Sequence, residues 1–333
     1  MIIVLIFIGL GALVGVSILA SNLFRLVKKA QTSAIGLSLS RESASNLVAR
    51  VNDIAERLNA LPPNNVVVGL DPTFYVTEAD VMCLDDTLHG RTLYCSLPLC
   101  RILSVSELDA IIGHELGHFK GLDTQFSEKF YPIYRGTATS IALLEDNEGA
   151  VKLALLPAIT VLTFFFDAFS AAENTHSRTR ELAADKEGAS AASTESLASA
   201  LVKVHAFAPF WSYFQDTTVA VLREGNVFVN ASKYFAGVIQ ENADAGKLEG
   251  IADTHTSHPT DSHPPLAVRL QSLNMSLESV ETSALKVNPD DPAIGLISNV
   301  EKFEEEISDA YQEILARNIS MVDEQENESK EGS

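Results

Sequence analysis

The chain has 333 residues, 46% of them hydrophobic, which allows one large domain or two smaller ones and excludes general disorder. Its 44 acidic side chains outnumber 24 Lys plus Arg, and the formal net charge of -20, with no basic block to hold a phosphate backbone, excludes nucleic acid as a partner. Three cysteines without a CxxC pair, Cys83, Cys95 and Cys100, indicate neither a disulfide framework nor a thiolate metal site and fit a reducing compartment.

Residues 1–20 are an uninterrupted apolar run just long enough to cross a bilayer as a helix. Arg25, Lys28 and Lys29 follow it and no basic residue precedes it. That order reads as an uncleaved anchor over residues 1–22 with its C-terminal side in the cytoplasm, a cleaved or buried segment being the alternative. A juxtamembrane helical region is expected at 23–62, where Leu47, Val51, Ile54 and Leu58 recur at helical spacing before Pro62 and Pro63. The period then changes. Val66–Leu70, Phe74–Val76 and Thr92–Leu97 are rich in β-branched and aromatic residues, which predicts a small sheet whose edge could hold an extended peptide.

Ser104, followed three residues later by Glu107, forms a capping-box pattern for a helix starting at Val105, with Leu108, Ile111 and Ile112 as its apolar stripe. His114 and His118 then lie one turn apart, where one metal ion could bridge them, and Glu115 sits beside the first histidine without becoming a third ligand. A purely structural pair of helical histidines is the alternative. A catalytic zinc ion wants three protein ligands and an open position. The best source of the third is Ser177–Asp185, where Glu181 could face the metal and Asp185, one turn on, could accept a bond from the far nitrogen of a ligating histidine. A solvated helix face is the competing reading of that Glu/Asp pair.

Between these motifs, residues 153–172 approach a spanning length but include Pro157 and Asp167. A single crossing there would put His114 and Glu181 on opposite sides of the membrane. The stretch is therefore expected to be buried, re-entrant or laid against the bilayer, with Phe164, Phe165 and Phe166 at the cleft edge to receive hydrophobic substrate. Residues 189–208 read as helix, with His205 a core or surface histidine, and 209–236 hold many aromatics without an assignable period. Residues 253–265 read as a loop containing His255, His258 and His263, followed by a helical segment over Pro265–Leu273. A helix is expected at 291–318 and a disordered acidic tail at 319–333.

Three of these pieces, Leu103–His118, Ser177–Asp185 and Ser262–Leu270, stand in the order found in the M48 peptidases, which the sequence resembles. That family includes the HtpX-type heat-shock membrane proteases, a mitochondrial inner-membrane stress protease and the CAAX prenyl proteases. The resemblance implies an α+β, mainly helical zincin-like metalloprotease domain with a small β-sheet, over 63–290 here, preceded by an N-terminal transmembrane helix. It implies one zinc ion (Zn2+) per chain held by His114, His118 and Glu181, with Glu115 as catalytic base and Asp185 in support. It also implies that His263 steadies the oxyanion and that Arg269 belongs to the same late element. The function it implies is a membrane-anchored zinc metalloendopeptidase acting on protein or peptide substrates, in the quality control of membrane proteins. A catalytically silent membrane adaptor or scaffold is the alternative. Its expected place is a bacterial inner membrane, contacting the lipid bilayer through 1–20 and also 153–172, with the catalytic domain facing the cytoplasm. Only one clear span is present, which speaks against a multi-span chamber for prenylated proteins.

Overall fold

Why the central helix forms and stays put is a matter of its two neighbours in sequence and in space. The computed structural model describes residues 31–39, 46–121, 141–142, 144, 149–244, 248, 251 and 264–331; the apolar run at 1–22 and the histidines at 255, 258 and 263 lie outside them. Strands β1 (Gln31–Ser33) and β2 (Gly36–Ser38) lead to helix α1 (Asn46–Leu58), on which Leu47, Val51, Ile54 and Leu58 are all buried as their spacing predicts. The helix stops where Asn59 enters the left-handed region at a φ of 51°, which asparagine tolerates better than most residues.

Five strands follow: β3 (Asn65–Gly69), β4 (Tyr75–Thr77), β5 (Asp80–Met82), β6 (Thr87–Leu88) and β7 (Thr92–Ser96). The expected sheet has the order β2-β3-β7-β4, with β3 parallel to β7 and the outer pairs antiparallel, so β4 is an edge strand. A second sheet, β1-β5-β6, joins it. Its strands are only two or three residues long, too short for a two-residue alternation to register in the sequence.

A short helix α2 (Leu97–Cys100) turns the chain into α3 (Val105–Lys120), which begins with the predicted capping box. Ser104 accepts from the Glu107 amide while the Glu107 carboxylate accepts from the Ser104 amide at 2.7 Å. Glu107 is buried and does more than cap. Its other oxygen accepts from Ser199 at 2.6 Å, while the Lys203 ammonium donates at 2.8 Å to the capping oxygen and also to the carbonyls of Ile102 and Lys286. All three ammonium protons thus have an acceptor, which is what a lysine with 1% of its surface exposed requires.

The remaining helices are α4 (Gly149–Ala191), α5 (Thr194–Phe207), α6 (Phe210–Arg223), α7 (Ala231–Asn242), α8 (Leu266–Ser272), α9 (Leu277–Leu285) and α10 (Val300–Glu331), with a 3-10 turn at Ala293–Leu296 before the last. The aromatic stretch without a readable period is α6 and α7, where Trp211, Phe214 and Phe235 pack with Tyr311 of α10. One contiguous buried cluster includes Leu37, Leu47, Leu116, Phe235 and Tyr311, so α1 and α10 share the core of the sheet and the central helices. Arg50 of α1 is bonded through two nitrogens to Asp109 of α3, and Arg57 donates to the Ala191 carbonyl at the end of α4.

One expectation needs correction and another is narrowed. The acidic segment from 319, expected to be disordered, continues α10 to Glu331. A helix already nucleated extends cheaply through Glu, Gln and Lys, and no proline or glycine interrupts this one before Gly332. Of the three alternatives expected for 153–172, the structure removes the re-entrant one and full burial, and leaves a helix with part of its apolar surface exposed. The stretch belongs to one continuous helix of 43 residues, about 65 Å long, in which Leu155 and Ile159 are buried while Leu156 and Phe164 are 43% and 67% exposed. Among the described residues, no helix is long and apolar enough to cross a membrane.

Replacing Lys203 by methionine would leave the Glu107 carboxylate buried without its counter-charge. Lys203→Met is therefore expected to lower the unfolding free energy by about 3–5 kcal/mol in urea denaturation, and a loss below about 1 kcal/mol would show that the pair is solvated.

Candidate metal centre

Helix α3 carries His114, Glu115 and His118, and α4 crosses it closely enough to bring in a third group. The approach depends on residues without side chains. A Cβ on Gly113 would lie 2.4 Å from the Ala191 Cβ, one on Gly188 2.6 Å from the Ala110 carbonyl oxygen, and one on Gly117 3.0 Å from the Ala184 Cα. The first two are closer than a carbon atom tolerates and the third is tight enough to make its neighbour shift, so the two backbones pack directly.

This crossing sets the Glu181 carboxylate 3.5 Å from Nε2 of His114 through one oxygen and 3.5 Å from Nε2 of His118 through the other. One ligand atom from each residue falls within 4.8 Å of the others. Two ligands each about 2.1 Å from a tetrahedral ion sit about 3.4 Å apart, so the set fits a metal of zinc's size. His114, Glu115 and Glu181 are buried, and the two imidazoles meet edge-on with centroids 5.0 Å apart. Between the two histidine-bearing turns, Glu115 keeps one oxygen, Oε2, buried without a hydrogen-bond partner among the described residues. A carboxylate oxygen held dry in this way is a group prepared for something that enters the site.

One turn beyond Glu181, Asp185 lies 2.9 Å from Nδ1 of His114. A carboxylate only accepts, so Nδ1 carries the proton and Nε2 keeps its lone pair for a metal. Arg269 of α8 donates to both Asp185 oxygens, and its guanidinium is also 3.3 Å from the same His114 nitrogen. Burial alone would push the Asp185 carboxyl up, but the Arg269 charge and the hydrogen bonds from His114 and Arg269 outweigh it and hold the group well below the ordinary carboxylate range. Burial likewise works against the Arg269 charge, and Asp185 more than restores it. The pair therefore stays doubly ionised and fixes the imidazole from behind.

The model of peptidase family M48 matches residues 75–276, more than half of the chain. This chain belongs to peptidase family M48. As such it is a zinc-dependent metalloendopeptidase, in keeping with the His114, His118 and Glu181 cluster. A protein named protease HtpX homolog from Archaeoglobus fulgidus is 29% identical over 250 residues, which cover 71% of this chain and 69% of the relative. One of the same name from Pyrobaculum aerophilum is 27% identical over 259 residues, covering 72% and 70%, and one from Thermoplasma volcanium is 28% identical over 151 residues, covering 43% and 45%. No solved structure matches.

In this M48 peptidase the structure brings together six of the seven residues expected from the sequence; the seventh, His263, lies outside the described residues. One residue that the sequence did not assign to the site lines a pocket beside it. His205 of α5, read as a core or surface histidine, lines a pocket together with His114, Glu115 and Arg269. Its Nδ1 donates to the Leu201 carbonyl at 2.8 Å. Leu197, Leu201 and His205 recur every four residues, so the apolar stripe of α5 runs directly into this histidine. The small residues of the crossing had a similar signal, Gly113 and Gly117 being four apart and Ala184 and Gly188 likewise.

Adding one methyl group should test the crossing. Gly188→Ala is expected to lower stability by about 1–3 kcal/mol and to weaken zinc retention against a chelator. Gly237→Ala is the control, because a Cβ there meets nothing within 4 Å and alanine favours the helix. Equal behaviour of the two variants would refute a role for helix proximity.

Proposed function

We propose that this M48 peptidase is anchored in a membrane by residues 1–20, with its catalytic domain on the cytoplasmic side, and hydrolyses peptide bonds in damaged or misassembled membrane proteins. His114, His118 and Glu181 would hold one zinc ion. The observation that carries the reading is the convergence of these three side chains, with ligand atoms within 4.8 Å of one another and Glu181 3.5 Å from each histidine, beside a buried Glu115 with one oxygen unbonded among the described residues. Zinc, when bound, supplies Lewis acidity that polarises a carbonyl and makes water easier to deprotonate.

The rest of the work falls to the protein. Glu115 takes the proton of the attacking water and passes it to the departing amine, a task suited to a carboxylate with one oxygen uncommitted. Asp185 and Arg269 keep the His114 ring in its ligating tautomer throughout. The edge strand β4 leads out of Phe74, which lines the same pocket as Glu115, and so offers backbone groups to an extended substrate. His263, six residues before Arg269 in the same late motif, is the residue that would steady the oxyanion. Membrane association draws support from the apolar run at 1–20, from the exposed Leu156 and Phe164 on α4, and from relatives that carry the HtpX name.

Glu115→Gln should keep about one zinc per chain while casein cleavage falls by ~10²-fold or more. Asp185→Asn should instead lose metal affinity, by about 10–100-fold in chelator competition, together with rate. Full cleavage by the Glu115→Gln form would sink the assignment of the base.

A further inference from the structure

The pocket beside Glu115 has a chemistry of its own. It lies between α3, α5 and the approach to β4, and its walls are Phe74, Ile111, Leu197, Leu201, Val204 and His205. His114 and Glu115 form part of the same lining, so the pocket adjoins the turn that carries one histidine ligand and the base. We infer that this pocket receives the substrate side chain next to the scissile bond and selects a small, uncharged residue there. The inference rests on the protease reading above and adds to it the rule by which a cleavage position is chosen.

Geometry ties the pocket to that one side chain. In an extended peptide, successive side chains point to opposite faces, so only one of the two residues flanking the cut can face a given wall. A carbonyl within reach of Glu115 and a backbone running along β4 bring one flanking side chain to the mouth of this pocket.

Size and charge then set the preference. The cavity is about 50 Å³. A dry cavity of about 150 Å³ holds a benzene ring, so a third of that volume suits one to three carbon atoms and excludes an aromatic ring. Alanine, valine and threonine fit. An acidic side chain would leave water for a mostly apolar lining in which the Arg269 charge is already engaged by both oxygens of Asp185. A basic side chain would meet Glu115 and occupy the oxygen that the reaction needs. Leu201 and Val204 are the side chains whose size the pocket depends on, Leu201 as a buried wall and Val204 as a partly buried one.

The test is a cleavage-site profile on an unfolded proteome digest, read by mass spectrometry, for the full-length protein and for Val204→Phe and Leu201→Ala, with zinc content measured on each. The intact enzyme should enrich Ala, Val and Thr at one fixed position beside the cut and deplete aromatic and charged residues there at least fivefold. Val204→Phe should shift that position toward Gly and Ala, and Leu201→Ala should admit Leu, Met and Phe. Binding of matched peptide series to the Glu115→Gln form, followed by fluorescence anisotropy, should show the same order without turnover. Wild-type profiles from both variants at full zinc content, or a preference of the intact enzyme for aromatic or charged residues, would overturn the subsite while leaving the protease intact. An intact enzyme that holds zinc and cuts nothing would overturn the protease reading, and the subsite with it.

Discussion

Everything in the site depends on how near two helices come. Helix α4 can deliver Glu181 to the two histidines of α3 only because Gly113, Gly117 and Gly188 leave the backbones in direct contact. One helical turn later the same crossing delivers Asp185 to the back of the His114 ring, and Arg269 closes over it from α8. A single packing constraint therefore fixes both the face that would hold the metal and the support behind it. Larger residues at Gly113 and Gly188 would push the helices apart and carry Glu181 away from the two imidazoles.

Buried charge secures α3 at two points. Near its start, Glu107 is held by Lys203, Ser199 and the Ser104 amide. Farther along, Asp185 and Arg269 hold His114. Each group in these networks has its hydrogen-bonding capacity largely filled, the condition under which charge survives out of water. Such pairs add little net stability over apolar packing, but they tolerate only one geometry. For a helix that must present two imidazoles to one ion, a fixed geometry is the useful property.

Helix α4 links the site to the question of the membrane. Its C-terminal part carries Glu181 and Asp185, while its N-terminal part has a buried face at Leu155 and Ile159 and an exposed one at Leu156 and Phe164. Because the helix is continuous, whatever its exposed apolar face rests against is mechanically connected to the ligand-bearing turn about 25 Å away. The alternation of buried and exposed apolar residues also explains why hydropathy alone suggested a span: summed hydrophobicity does not distinguish a helix apolar on all sides from one with two apolar faces in different surroundings.

By itself the sequence determined the local structure and the chemical vocabulary of the site. The capping box at Ser104 and Glu107, the buried Leu47, Val51, Ile54 and Leu58 of α1 and the pairing of His114 with His118 all follow from interactions between residues a few positions apart, and such interactions are written in spacing. The M48 motifs extended this to Glu181, Asp185 and Arg269, which lie far along the chain. What only the tertiary structure decided was proximity. Short strands β1, β5 and β6 carry too few residues for a pattern, and the pocket role of His205 exists only once α5 is packed on α3. The end of α10 was misread because composition reports solubility, whereas a helix that is already nucleated persists through any residue with adequate propensity. Distances between α3, α4, α5 and α8 are set by which side chains are missing from their interfaces, and a glycine's empty space acquires meaning only when another backbone fills it.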